Sequence, residues 1–519
     1  MKFINRSFKF KNFHQAKWDE PVIFEFSTEG ERGIIPPKAE KEIKEVVGDG
    51  TNILPNNIIR KNYAKLPEIS QHRVLRHYLR LSQETLGADL NVEIGQGTCT
   101  MKYSPKINEK LSRMSEITEL HPLQHESTVQ GILEIIYKTE QCMKEISGMD
   151  RFTFQPSGGS QAIMTMASLV RAYHENNGEG KQRDEIITTI YSHPSDAAAP
   201  AVKGYKIIKI FPDDNGYPDY EAFKKAVSNR TAAFIVANPE DTGVFNTRVK
   251  EFTDLVHKNG GLCCYDQANA NGLLGLTRAK EAGFDMCFFN LHKTFSAPHG
   301  CGGPATGAVG VLEKLGSFLP GPLVDFNGKD YFLNNNIEHS IGKVRSYMGV
   351  SQVILKAYAW IMTLGAEGLC EVAKIAVLNN NYMFNKLMKH KAVDAPYIKG
   401  KQRIEQVRYS LEKLKEDTGV GTEDIQRRMM DFGMHYWTSH HPYYVPEPMT
   451  LEPTETPSKK DIDEYIEALT HVFDEAYDNS DIVNTAPHSS TIHRLDESDF
   501  DNKDKWAITW RSYLKKAEK

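Results

Sequence analysis

The sequence predicts an α/β fold, with a large domain built on a mostly parallel sheet and a smaller α/β domain after it. Two observations carry this. Short apolar runs of strand length recur through the central third of the 519 residues, and amphipathic stretches of helical spacing separate several of them. The runs are apolar almost throughout, as strands covered by helices on both faces must be.

The elements follow in order. The opening stretch MKFINRSFKFKNFHQAKW is basic and aromatic, with no apolar h-region or small-residue cleavage site, and reads as an arm that packs on the domain. The first 90 or so residues are loop-rich and punctuated by proline, as in GIIPPKAEKE, before a helical stretch HRVLRHYLRLSQETLG. A helix starts near Ser160, because Ile163, Met166, Ala167, Val170 and Tyr173 repeat at helical spacing. Strands are then expected at EIITTIYS (185–192), KIIKIF (206–211), TAAFIVANP (231–239), GLCCYDQA (261–268), DMCFFNLHK (285–293) and GAVGVL (307–312). Helices are expected at DYEAFKKAVSN (219–229) and at TRVKEFTDLVHKNG (247–260), the latter stopped by its glycine. From about residue 346 the pattern turns helical, and EDIQRRMMDFGM and KKDIDEYIEALTHVFDEAY follow within a smaller segment. The acidic run LDESDFDNKD (495–504) reads as a solvated loop. The expected division is an N-terminal extension over 1–90, a large domain over 91–345 and a small domain over 346–519.

Composition excludes several classes. A formal net charge of −5 and a pI near 6.4 argue against a dedicated nucleic-acid or membrane-surface binder. No apolar segment approaches the roughly 20 residues that span a bilayer. The seven cysteines are scattered, odd in number and without a CxxC pair, which argues against a disulfide framework or a structural zinc and fits a reducing cytoplasm. Cys263, Cys264 and Cys287 lie in apolar runs and read as buried small hydrophobes.

Four short motifs fall at strand or helix ends. In QPSGGSQ, Ser157, Gly158, Gly159 and Ser160 present backbone N–H groups and hydroxyls at the positive end of a helix, a natural phosphate site, although an SGGS turn is also an ordinary helix cap. His193, in SHP after a strand, is either a satisfied loop histidine or a ring that stacks on a flat ligand. Asp266, in YDQAN, is a carboxylate on an apolar strand and needs a cationic partner if buried; Ala268, two residues on, would face the same way. Lys293, between His292 and Thr294, ends the run DMCFFNLHK, a setting in which desolvation can make an amine nucleophilic. Pyridoxal 5'-phosphate needs all four: a lysine for its aldehyde, a carboxylate to keep its pyridine nitrogen protonated, a phosphate cradle, and groups on its two ring faces. The loop HGCGGPATG is not a dinucleotide fingerprint, since Gly300 and Gly302 are followed by Ala305 and the chain leads to a strand.

Several segments resemble the glycine dehydrogenase (decarboxylating) P-protein family, subunit 2 of its two-chain form. They include PVIFEFSTEGERG, GTCTMKYSPKINE, NLHKTFSAPHGCGGPATGAVGV, VRSYMGV, DFGMHYW and LEPTETPSKKDID. The resemblance implies the fold-type I, aspartate-aminotransferase-like architecture. It implies that Lys293 carries the cofactor, that His193 stacks on its ring and that Asp266 pairs with the pyridine nitrogen. Ser157, Gly158, Gly159, Ser160, Ala268, His292 and Thr294 complete the expected cofactor-binding set, and Thr98, Cys99, Glu126 and Asn269 are substrate-pocket candidates. The implied reaction is decarboxylation of glycine with transfer of the aminomethyl group to the lipoyl group of H-protein, in company with a separate subunit 1. The chain departs from the family at His193-Pro-Ser-Asp-Ala, where the family has HGTNP. Asp196 thereby places a carboxylate near the cofactor, and Cys301 enters the glycine loop. These departures leave open a divergent enzyme of the same fold. It would act on another amino acid without H-protein, as a self-dimer, by decarboxylation, transamination or carbon–carbon bond formation.

Overall fold

The structure is a computed structural model that describes residues 13–518, apart from positions 32, 35, 49, 51–52, 63, 88–89, 91, 93, 96–101, 300–302, 398–400 and 437–443. Thr98, Cys99 and Cys301, and the first twelve residues of the basic arm, lie outside the described residues.

A seven-stranded sheet organises the compact unit Ala88–Thr485. Its strands are β1 (Arg151–Thr153), β2 (Glu185–Thr189), β3 (Lys206–Ile210), β4 (Thr231–Ala237), β5 (Leu262–Gln267), β6 (Met286–Asn290) and β7 (Gly307–Val311). The spatial order is β1-β7-β6-β5-β4-β2-β3. Neighbours from β3 to β6 pair in parallel, whereas β7 runs antiparallel to both β6 and β1. All six expected strands form; β1, only three residues long, is the addition.

The apolar runs divide cleanly between two cores. Phe234, Val236, Cys263, Tyr265, Cys287 and Phe289 face one core, while Ala233, Ile235, Leu262, Cys264, Met286 and Phe288 face the other. That alternation is the strand period of two with both faces dry. Helices α1 (Gln130–Ser147), α2 (Gly159–Asn176), α3 (Pro194–Val202), α4 (Tyr220–Ala226) and α5 (Val249–Lys258) belong to this layer. α1 ends on Gly148, whose φ of 74° is the left-handed stop that glycine adopts without strain, its N–H reaching the Lys144 carbonyl at 2.8 Å. Phe223 of α4, Phe234 of β4 and Phe252 of α5 form an aromatic cluster with ring centroids 4.5–6.1 Å apart.

After the β8–β9 hairpin (Leu323–Phe326 with Tyr331–Asn334), the long helix α6 (Ser351–Leu387) begins. Its backbone leaves helical geometry at Gly365, φ 63°. Val353, Ala357, Trp360 and Ile361 pack on the sheet core, and Met383, Phe384 and Leu387 enter a third core with β10 (Val407–Ser410), β11 (Pro448–Leu451) and α7 (Lys459–Asp478). α7 starts in a capping box: the Ser458 side chain accepts from Asp461 N–H, and the Asp461 carboxylate accepts from Ser458 N–H at 2.9 Å.

Lys11–Gly87 and Ala486–Lys519 form a second compact unit. Within it the Glu20 carboxylate accepts from Arg80 at 2.7 Å and meets His77 Nδ1 at 2.8 Å. Phe24 stacks on Trp510 at 5.4 Å, and Gln15 bonds Ser490 and Thr491. Residues 486–519, expected with the small domain, therefore associate with the N-terminal extension, because their aromatic and polar partners lie there.

Phe234 is 1% exposed at the centre of its cluster. Phe234→Ala should cost about 3–5 kcal/mol, seen as a lower urea midpoint at unchanged m value.

Candidate active site

The chemistry-bearing residues collect where parallel strands end, as expected of open α/β sheets. Asp266 is the penultimate residue of β5. Lys293 lies three residues beyond β6, in a turn closed by its own N–H to the Asn290 carbonyl at 3.0 Å. The turn is anchored further by Leu291 N–H to the Thr306 carbonyl (3.1 Å) and by the Ser296 hydroxyl to the Tyr103 carbonyl (2.6 Å). Lys293 is buried at 7% exposure. One cavity is lined by Lys293, Asp266, His193, Ala268 and Asn269, so five of the expected residues meet there. Asp266 and Ala268 both face it, as their spacing predicts.

Each is held by its neighbours. His193 caps α3, its Nδ1 accepting from Ser195 N–H at 3.1 Å and meeting Ser195 Oγ at 2.7 Å, which fixes the ring at the cavity mouth. Asp266 Oδ1 accepts from Ala268 N–H at 2.8 Å. Burial pushes the Asp266 carboxyl up, opposed by that N–H, by Lys293 and by a hydrogen bond from Asp196. Asp196 is 0% exposed, and burial against Asp266 holds its carboxyl well above the usual range. The structure sets this carboxyl directly against that of Asp266.

Ser157, Gly158, Gly159 and Ser160 do not line this cavity but stand at the start of α2, beside the end of β6. No side chain caps that helix, and the Ser157 N–H turns to Gln161 Oε1 at 2.7 Å. A Cβ at Gly159 would come 3.2 Å from Asn290 Nδ2, and one at Gly158 would come 3.9 Å from His292 Cε1. His292 Nδ1 and Asn290 Oδ1 are buried there without a hydrogen-bond partner among the described residues. Burial and the neighbouring Lys293 and His299 push the His292 imidazole down to about 3, so it is neutral. The Thr294 hydroxyl accepts from Ala270 N–H at 2.9 Å and so braces the loop after β5.

Glu126 does not join the site. It lies in a short 3-10 turn and its carboxylate accepts from Leu333 N–H of β9 at 2.9 Å, tying down a hairpin. Asn269 does join: its amide donates to Glu452 at 2.8 Å and its carbonyl oxygen accepts from Asn271 N–H.

The small lobe supplies a wall that sequence reasoning missed. Glu405 and Gln406, just before β10, line the cavity with Asp241 and Tyr191. Asp241 is paired with the buried Arg408, and the Tyr191 hydroxyl meets that of Tyr397 at 2.6 Å. Burial and the neighbouring Glu452 hold Glu405 well above the usual carboxyl range. Glu452 itself is pushed up to about 7 by burial, against hydrogen bonds from Asn269 and Asn271. The available signal was three polar residues, Glu405, Gln406 and Arg408, beside and within the strand Val407–Ser410.

Glu240 behind this wall is raised to about 8, chiefly by burial. A carboxyl raised in the folded state binds more protons folded than unfolded, so its contribution to stability is lost as pH rises from about 4.5 to about 8. Glu240→Gln should flatten this decline, with gains of up to about 1.4 kcal/mol per pH unit across that window in chemical unfolding.

Two family models match the chain: "Glycine dehydrogenase, C-terminal domain" over residues 372–491 and "Aminotransferase class-V" over residues 152–321. A relative from Pyrococcus furiosus, described as a probable glycine dehydrogenase (decarboxylating) subunit 2, is 43% identical over 510 residues, covering 98% of this chain and 99% of its own. One from Staphylococcus aureus with the same description is 41% identical over 479 residues, covering 92% of this chain and 95% of its own. Among solved structures, an inhibitor-bound glycine decarboxylase (P-protein) of the glycine cleavage system superposes with a TM-score of 0.71 at 21% identity, over 85% of this chain and 100% of that one. The apo cysteine desulfurase of Thermococcus onnurineus NA1 superposes with a TM-score of 0.56 at 16% identity, over 73% of this chain and 94% of that one. The fold is that of the fold-type I pyridoxal-phosphate enzymes, as the sequence resemblance implies. With nearly full-length identity above 40% to these relatives, the chain belongs to the glycine dehydrogenase (decarboxylating) subunit 2 family.

Proposed function

We propose that this chain is the pyridoxal-phosphate-dependent catalytic subunit of a glycine decarboxylase. In this reading it works in the cytoplasm with subunit 1, releases the glycine carboxylate as carbon dioxide and passes the aminomethyl group to the lipoyl group of H-protein. The observation that carries the reading is the meeting of Lys293 and Asp266 in one buried cavity, in a chain of this family.

The residues present fit the cofactor. Lys293 would hold its aldehyde carbon and yield it to the substrate amine. Asp266, kept anionic, would hold the proton on the ring nitrogen. The His193 ring would cover one face and the small Ala268 leaves room at the other. The uncapped start of α2, with the Ser157 and Ser160 hydroxyls, would take the phosphate. The unpartnered buried Nδ1 of His292 supports a polar group seated beside it. When bound, pyridoxal phosphate supplies an electron sink for the bond broken at the substrate α-carbon. The protein's part is to position that carbon and to keep water from it, and the turn around Lys293 is buried throughout residues 291–297.

A second reading, an enzyme of the same fold acting on another amino acid as a self-dimer, is favoured by one observation. The cavity lining includes Glu405, whose buried Oε2 has no partner among the described residues, a feature that suits a donor-rich side chain on the ligand.

Glycine-dependent exchange of labelled carbon dioxide, measured with and without subunit 1 and lipoylated H-protein, separates the two. Exchange that needs both partners supports glycine cleavage. A protein whose visible spectrum ignores glycine but shifts with a basic or amide-bearing amino acid supports the second. Lys293→Ala should abolish both the visible absorbance of lysine-bound cofactor and its borohydride-stable attachment; absorbance that persists would remove Lys293 from its role. Asp266→Asn should weaken cofactor affinity by about tenfold or more with little change in thermal midpoint, since the lost charge faces the ligand.

A further inference from the structure

One buried carboxyl next to this site has no place in the roles above. Asp196 is the third residue of α3, directly after the His193 cap, and is fully buried. Neither of its oxygens accepts a hydrogen bond from any N–H or O–H group of the described residues. The N–H groups of its turn are spoken for: that of Ser195 goes to His193 Nδ1 at 3.1 Å, and that of Asp196 goes to the His193 carbonyl at 2.8 Å. What does face the side chain is the carboxyl of Asp266, within hydrogen-bonding reach.

Two acceptor-only groups in contact in a dry interior repel unless one holds a proton. With one proton shared, the contact becomes a charge-assisted hydrogen bond, the strongest kind available between side chains. The surroundings decide which oxygen carries it. Asp266 receives the Ala268 N–H at 2.8 Å and feels the charge of Lys293, both of which favour its anion. Neither is among the influences on Asp196, and Cys264 nearby is a buried thiol that brings no positive charge.

We infer that Asp196 is a neutral acid that donates a hydrogen bond to the Asp266 carboxylate, a positioning residue that fixes that carboxylate's orientation and holds the pair at a single negative charge. Its consequence rests on the cofactor reading: the ring nitrogen would meet one oriented anion, neither a mobile one nor a doubly charged pair. An asparagine at 196 would make the same donation without a proton to lose, whereas an alanine would make none.

The test uses the full-length apoprotein, with pyridoxal phosphate as the ligand and circular dichroism melts as a check on folding. Asp196→Ala should lower cofactor affinity by about tenfold or more, and Asp196→Asn should restore it to within about threefold of wild type. The infrared difference between wild-type apoprotein and Asp196→Asn near neutral pH should contain the carbonyl stretch of one protonated carboxyl, a readout independent of the cofactor. A missing carboxyl band, or Asp196→Asn binding as weakly as Asp196→Ala, would overturn the inference. Affinity unchanged in Asp196→Ala would overturn the positioning role. Should wild-type protein take up no pyridoxal phosphate, the cofactor reading falls and the positioning role with it, while the band by itself decides the shared proton.

Discussion

The site depends on a constraint imposed by the sheet: strands β4, β5 and β6 are dry on both faces, so no charge can be carried along their length. Phe234 to Val236, Cys263 to Tyr265 and Cys287 to Phe289 fill two cores without a polar break. Charged side chains are therefore admitted only where the strands stop, and only if they meet one another there. Asp266 near the end of β5 and Lys293 in the turn just beyond the adjacent parallel β6 both stand at that limit, which is why residues 27 positions apart reach one cavity. An isolated buried ion is costly, and the opposite charge across the cavity offsets part of that cost.

Around this pair the structure places buried carboxyls in excess. Asp196, Glu240, Glu405 and Glu452 are each raised by desolvation, so at neutral pH several of them are uncharged hydrogen-bonding groups. Of the carboxyls that line the cavity itself, Asp241 is paired with Arg408 and Glu405 is held well above the usual range by burial, so a count of formal charges overstates its negative character. That distinction governs which ligands it will admit.

Much of this was legible in the sequence, for identifiable reasons. Long apolar runs bounded by turns announced six strands, and helical spacing after Ser160 announced α2 to within a residue. Lys293, Asp266 and His193 stood out because a polar group at the end of an apolar run is costly without a purpose. β1 was missed because three residues carry no period, and the reversed direction of β7 because periodicity has no sense of direction. The wall formed by Glu405 and Gln406 was invisible because its meaning depends on Asp241 and Tyr191, far away in sequence. Glu126 stands apart from the cavity for the converse reason: its carboxylate serves the backbone of Leu333, a contact no local pattern encodes. The tail over 486–519 was assigned to the small domain by adjacency, whereas Trp510 and Ser490 find their partners near Phe24 and Gln15.

α6 spans the sheet core and the small-lobe core with a single break at Gly365. The strands that lead to Asp266 and Lys293 are thus rooted in one core, whereas Glu405 and Gln406, which line the same cavity, adjoin a strand rooted in another. Inheritance can then act on the two separately. Substitutions at Glu405 or Gln406 would change the lining of the cavity without touching the strands that lead to Asp266 and Lys293. Such a division lets one lineage keep its chemistry while its members drift in what they accept.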